Sequence, residues 1–193
     1  MARRRHTSPR DVISGQITGA IIAWVDLRNY STTAGDIYAQ RLNGNGVPQW
    51  AAKGVAVSTA QTYQLSARLV TDGSGGAIIA WTDFRNGEMN GDIFAQRLSG
   101  AGVPQWTVDG VAVCVAPNGQ VSPRLVADGL GGAIIVWQDA RNAVTTGSDI
   151  FASDFRWRNV RNAIVLYIEL ASKYAPTAMD VLLLPCSELR KLG

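Results

Sequence analysis

The chain is poor in the residues that most often carry chemistry. It has one histidine, His6, placed in a basic start, so histidine-dependent triads, zinc sites and proton shuttles lose their usual residue. Two cysteines do not make a disulfide framework: Cys114 stands where an earlier copy of the same segment has Ser58, and Cys186 lies where no copy exists. No glycine loop followed by Lys-Ser or Lys-Thr is there to cradle a phosphate, and no other cofactor motif is present. No run is long and apolar enough to span a bilayer. His6–Arg10 and Asp11 interrupt the sequence after the basic Met1–Arg5, so no apolar segment of secretory-leader length follows it. Positive charge is scarce where nucleic acid would need it. Despite a pI of 9.1, residues 7–155 hold nine bases against twelve acids. The excess sits at the ends, in Arg3, Arg4 and Arg5 and in residues 156–193 with six bases against three acids. A body without a basic stripe argues against tracking along phosphates.

What is there is repetition. Ala20–Asn29 (AIIAWVDLRN) returns as Ala77–Asn86 (AIIAWTDFRN) and as Ala133–Asn142 (AIIVWQDARN), with Trp24, Trp81 and Trp137 spaced 57 and 56 residues apart. The match continues: Gly35–Val57 and Gly91–Val113 agree at 17 of 23 positions, which indicates recent duplication. The third copy reaches SDIF at Ser148–Phe151 and then departs. A period of this size builds propellers or solenoids.

Each unit divides into four short strands. Arg68–Thr71 or Arg124–Ala127 comes first, with Ser8-Pro9-Arg10 as its counterpart in the first copy. Asp72–Gly76 supplies the positive φ of a tight hairpin. Ala77–Trp81 is apolar without alternation, as suits a strand buried on both faces. Asp92–Leu98 alternates Phe94, Gln96 and Leu98 with Ile93, Ala95 and Arg97, the period of a strand. After the turn at Ser99–Gly102 and the edge-like Val103-Pro104, Gly110–Val113 supplies an outer strand.

Four antiparallel strands per unit, set side by side, make a propeller blade. The pattern resembles the tandem β-propeller-like repeats of large secreted or surface proteins of bacteria, in which W-x-D-x-R-N, DIYAQR and GVPQW recur. The resemblance covers about residues 7–155 and implies a surface or exported location, and a chain that is a fragment of a larger protein. The expected fold is all-β: an arm at 1–6, propeller-type units at 7–60, 61–117 and an incomplete 118–155, about 2.7 in all, then a tail at 156–193. Val160, Ile164, Tyr167, Ile168 and Ala171 give that tail a helical spacing up to Pro176.

Candidate site residues recur with the fold. Asp26, Arg28, Asn29 and Asp36 return as Asp83, Arg85, Asn86 and Asp92, then as Asp139, Arg141, Asn142 and Asp149. Carboxylates and an amide could bind Ca²⁺, but arginine holds the third loop position and the aspartate spacing slips from 10 to 9 to 10. Closing the hairpin loops and pairing with arginine accounts for these residues better. Trp50 and Trp106 could stack on sugars, yet a repeated aromatic is expected as filler of the seam between blades. Glu88, in a variable loop, is the one acid outside the repeat pattern that could serve a glycosidase.

The sequence therefore reads as a non-catalytic binding, interaction or scaffold module without cofactor. Its ligand is expected to be a protein or a glycan, touched by the loops that differ among units: Tyr30–Ala34, Gly87–Asn90 and Ala143–Gly147. Self-association to complete a ring is expected, because fewer than three blades cannot close one. The alternatives are a glycan-processing enzyme on a propeller frame, or a decayed fragment without function. In an open array the middle Trp81 should hold the most buried contacts, since Trp24 and Trp137 each belong to a terminal unit, whereas in a closed ring every unit has two neighbours and the three should be similar.

Overall fold

The computed structural model describes residues 11–14, 19–87 and 90–155. The basic arm with His6, the Ser8-Pro9-Arg10 segment, Glu88, Cys186 and the tail after Phe155 lie outside them. The described residues form three antiparallel sheets in chain order. The first runs β1 (Asp11–Ser14), β2 (Gly19–Asp26), β3 (Asp36–Asn43), β4 (Val55–Ser58), each strand hydrogen-bonded to the next. The second repeats it with β5 (Gln64–Thr71), β6 (Ala77–Asp83), β7 (Asp92–Leu98) and β8 (Val111–Cys114). The third contains β9 (Gln120–Ala127), β10 (Ala133–Asp139) and β11 (Asp149–Phe155). The fold is all-β, of antiparallel propeller-type blades. Two single-turn helices, α1 (Tyr30–Thr33) and α2 (Ala143–Thr146), lie in the β2–β3 and β10–β11 loops. Among the described residues no helix is long and apolar enough to cross a membrane.

The sheets stack through two apolar seams, and the stacking has a direction. In the first seam Ile21, Ala23 and Val25 of β2, with Ile37 and Ala39 of β3, meet Ile79, Trp81 and Phe94 of the second sheet. In the second seam Ile78, Ala80, Ile93 and Ala95 meet Ile135, Trp137 and Phe151. Alternation of side chains along a strand thus sends Ile79 and Trp81 back toward the preceding blade and Ile78 and Ala80 forward toward the next. Trp81 and Trp137 of the W-x-D phrase each belong to the seam before their own blade. This corrects one expectation: Trp137, although in the last unit, is only 1% exposed, like Trp81 at 0%. Trp24 alone, whose face no described blade covers, is half-buried.

Backbone bonds also join the blades. Gln64 N–H donates to the Gly35 carbonyl at 2.7 Å, and one unit later Gln120 N–H donates to the Gly91 carbonyl at 2.6 Å. Both inner strands carry a bulge at the same place: Ser66 and Ser122 sit at φ +57° and +59°, where the ladder register shifts. Such an extra residue bends a strand and raises its twist.

Candidate functional site

The W-x-D-x-R phrase closes on itself. In the second blade both Asp83 oxygens are used twice. Oδ1 accepts the Arg85 backbone N–H and Nε, each at 2.9 Å, and Oδ2 accepts the Trp81 indole at 2.8 Å and Arg85 Nη2 at 2.6 Å. All four lone-pair positions of the carboxylate are filled. The Arg85 guanidinium lies 4.0 Å over the Phe94 ring, and its Nη2 also donates to the Asp109 carbonyl at 2.7 Å. Blade one repeats the arrangement with Trp24, Asp26 and Arg28, the Tyr38 ring, and the Lys53 carbonyl at 2.7 Å. Blade three repeats it with Trp137, Asp139, Arg141 and the Phe151 ring at 4.1 Å. A glycine follows each of those first two carbonyls for a reason: at Gly54 and Gly110, both at positive φ, a Cβ would stand 2.6 and 2.5 Å from the indole Cη2 of Trp24 and Trp81.

The second repeated aspartate sits directly across the ladder from the first: Asp26 opposite Asp36, Asp83 opposite Asp92, Asp139 opposite Asp149. Like charges in that position repel, and in blade one the surroundings push the two proton affinities apart. Hydrogen bonds from Arg28 hold the Asp26 carboxyl down at about 2 against the upward push of burial. For Asp139, burial pushes up but the bonds from Arg141 and Trp137 win, and its value falls below the ordinary 3.8. Asp36 and Asp92 go the other way, raised by burial with only partial relief, from Thr33 and Asn29 at the first and from Asn86 at the second. The two amides donate to Asp36 Oδ2 at 3.3 Å and Asp92 Oδ2 at 2.8 Å.

Trp50 and Trp106 lie half-buried at the two seams. The Trp50 indole donates to the Gly100 carbonyl of the next blade at 3.1 Å and covers Gly102, where any side chain would overlap the ring. What holds these loops in place is a residue pair that sequence reasoning missed. Buried Gln40 accepts the Arg41 and Trp50 N–H groups at 2.9 Å and donates to the Ala51 carbonyl at 2.6 Å. Gln96 does the same for Arg97, Trp106 and Thr107. The signal was present: a glutamine recurring inside an otherwise apolar strand, replaced by Ser153 in the unit where the loop sequence departs.

The variable loops gather at one end of the sheets, beside the connections that enter the inner strands. There Tyr30 of α1 and Tyr63 meet hydroxyl to hydroxyl at 3.0 Å, their rings edge to face with centroids 6.3 Å apart. Both are exposed, and neither recurs: the matching positions are Gly87 and Ala143 for Tyr30, and Gly119 for Tyr63. Between blades two and three, the Cys114–Pro117 connection with Arg141 and Asn142 lines an open cavity of about 620 Å³. In the first seam Asp109 reaches the corresponding connection, accepting the Thr59 N–H at 2.8 Å.

No protein-family model matches the chain, and no curated protein sequence matches it. Among solved structures, the chain is similar to the crystal structure of an endo-arabinase from Bacteroides thetaiotaomicron VPI-5482, with a TM-score of 0.51 and 14% identity. The likeness covers 80% of this chain and 58% of that one, and at this identity it speaks for the propeller-type fold.

Proposed function

We propose that the chain is a non-catalytic propeller-type binding module whose ligand, a protein or a glycan, is met by the loop end that carries Tyr30 and Tyr63. The observation behind this reading is how the repeated polar residues are spent. The carboxylates of the W-x-D-x-R clusters have their lone pairs filled by indole and guanidinium donors, which leaves them to hold the fold. The features that differ among blades are those of the loops, and an exposed tyrosine pair is a rigid, amphipathic contact surface at low entropy cost. Glycan and protein arrays test the reading. Tyr30→Ala and Tyr63→Ala are expected to abolish whatever binding the arrays detect without shifting the melting temperature, and binding that survives both changes would refute it. The resemblance of the repeats adds the expectation of an exported or surface parent protein, which fractionation of the source cells tests.

A glycan-processing enzyme is the second reading. It is favoured by the likeness to an endo-arabinase and by one carboxylate pair, Asp26 and Asp36, with opposed proton affinities, the usual setting of acid–base chemistry. Release of reducing ends from arabinan, lost in Asp92→Asn and in Glu88→Gln, would support it. Absence of turnover by the intact chain is the outcome expected from the first reading.

A further inference from the structure

The two end faces of the array are the two halves of an interface that the chain itself builds twice. On the face of blade one that points away from blade two stand Val12, Ile22, Trp24 and Tyr38. Ladder register makes Val12 and Ile22 the counterparts of Leu69 and Ile79, and the repeat aligns Trp24 and Tyr38 with Trp81 and Phe94. All four counterparts are buried in the first seam. Among the described residues nothing fills that role for blade one: Val12 is 54% exposed, and the other three are half-buried. The opposite face of blade three carries Ile134, Val136, Ile150 and Ala152, counterparts of Ile21, Ala23, Ile37 and Ala39. Ile134 and Ala152 are buried and Val136 half-buried, so the open part of this face is its Ile150 end. Ile37 and Ile93 are fully buried by the following blade, whereas Ile150 is 36% exposed. A cavity of about 410 Å³ opens on this face, lined by Val126, Ile134, Val136 and Ile150 together with the polar Arg124 and Gln138.

We infer that the first blade's outer face docks onto the third blade's outer face of a second copy of this chain, head to tail. A tryptophan-bearing face and its aliphatic receiver already join blades one and two and blades two and three, so the same chemistry continues across the molecular boundary. The contact is heterologous, with different surfaces on the two partners. It closes into a ring if the rotation allows and otherwise grows. Two copies joined at both ends assemble six sheets, within the four to eight of closed propellers. Two residues loosen the joint relative to the internal seams. Val136 stands where the receiving blades have Ala23 and Ala80, and Gln138 where they have Val25 and Thr82. The inference goes beyond the loop-end reading and uses none of its residues.

Sedimentation velocity over a range of concentrations tests it. The intact chain is expected to self-associate. Ile22→Arg, which spoils the head, and Ile150→Arg, which spoils the tail, should each weaken self-association by roughly thirtyfold, the effect of losing one central anchor. Mixed in equal amounts, the two variants should recover a one-to-one heterodimer, because each keeps one sound face. Val136→Ala should tighten self-association by roughly threefold by restoring the receiver found in the internal seams. Circular dichroism confirms that each variant folds, and Val12→Arg replaces Ile22→Arg if the latter does not. A wild-type chain that stays monomeric at every concentration overturns the inference. So does a mixture that fails to associate, or self-association lost on one face only, which would mean like faces pairing.

Discussion

Strands β2 and β6 share the phrase AIIAW, yet they occupy different environments. All seven residues of β6 are buried, whereas β2 alternates buried and half-buried along its length. The difference comes entirely from neighbours. Blade two has a blade on each side; blade one has a described neighbour on one side, and only its forward-pointing residues gain from it. Strand β10 completes the lesson. It belongs to a terminal unit, yet its backward-pointing Trp137 is buried because blade two covers that face. Burial in this array is set by face rather than by distance from the centre. A repeat with a single direction makes its two ends chemically unequal, one presenting aromatics and the other aliphatic residues.

The comparison can be broken or sharpened by substitution at matched positions. The largest effect is expected for Asp83→Ala. It strands a guanidinium bonded to a carboxylate with no exposed side-chain surface and should cost about 3–5 kcal/mol. Asp26→Ala removes the same contacts where Arg28 remains 31% exposed, so water compensates and the cost should be roughly 1–2 kcal/mol. Urea unfolding of the pair reads the difference. Next comes the glycine over the indole. Gly110→Ala forces a methyl against the wholly enclosed Trp81 and should cost about 3 kcal/mol. Gly54→Ala meets a Trp24 with room to swing and should cost roughly 1–2 kcal/mol. Equal losses would show that the exposed face of blade one is packed after all.

The smallest effect contrasts two aspartates across one ladder. The folded-state value of Asp26 lies below its unfolded one. Its contribution is present above the ordinary 3.8 and disappears as the pH falls toward about 2. Asp36 is shifted upward, so its contribution is fully present below the ordinary value and lost as the pH rises through the folded one. Asp36→Asn is therefore expected to leave stability at neutral pH unchanged or raised, within about 0.5 kcal/mol. Asp26→Asn should lower it and remove part of the acid sensitivity between 3.8 and about 2. Denaturation curves at neutral pH and in that acid window check both signs.

Much of this architecture is legible in the residues. The return of the W-x-D phrase fixes the period, and apolar runs bounded by Asp-Gly turns locate β6 and β7 within two residues of their bounds. The loop aspartates are also legible, since an arginine two positions later can offer each carboxylate a fork of charge-assisted hydrogen bonds. The direction of packing was not. Both faces of AIIAW are apolar, so the sequence does not say which residues point to which neighbour, and position in the last unit alone would place Trp137 at an end. The bulges at Ser66 and Ser122 were equally hidden, because serine carries no preference for positive φ. Tyr30 and Tyr63 meet across 33 residues, a juxtaposition that no local pattern records.

The claim that face rather than centrality sets stability is tested most directly by truncating the three equivalent tryptophans and measuring each variant by chemical denaturation. Trp81→Ala and Trp137→Ala should each lose about 3–5 kcal/mol, as a buried aromatic does. Trp24→Ala should lose roughly 1–2 kcal/mol, because its ring is half-buried at most. A result in which Trp137→Ala is as mild as Trp24→Ala, with Trp81→Ala alone severe, would contradict the account and return the molecule to a symmetric array whose centre is strong and whose ends are weak.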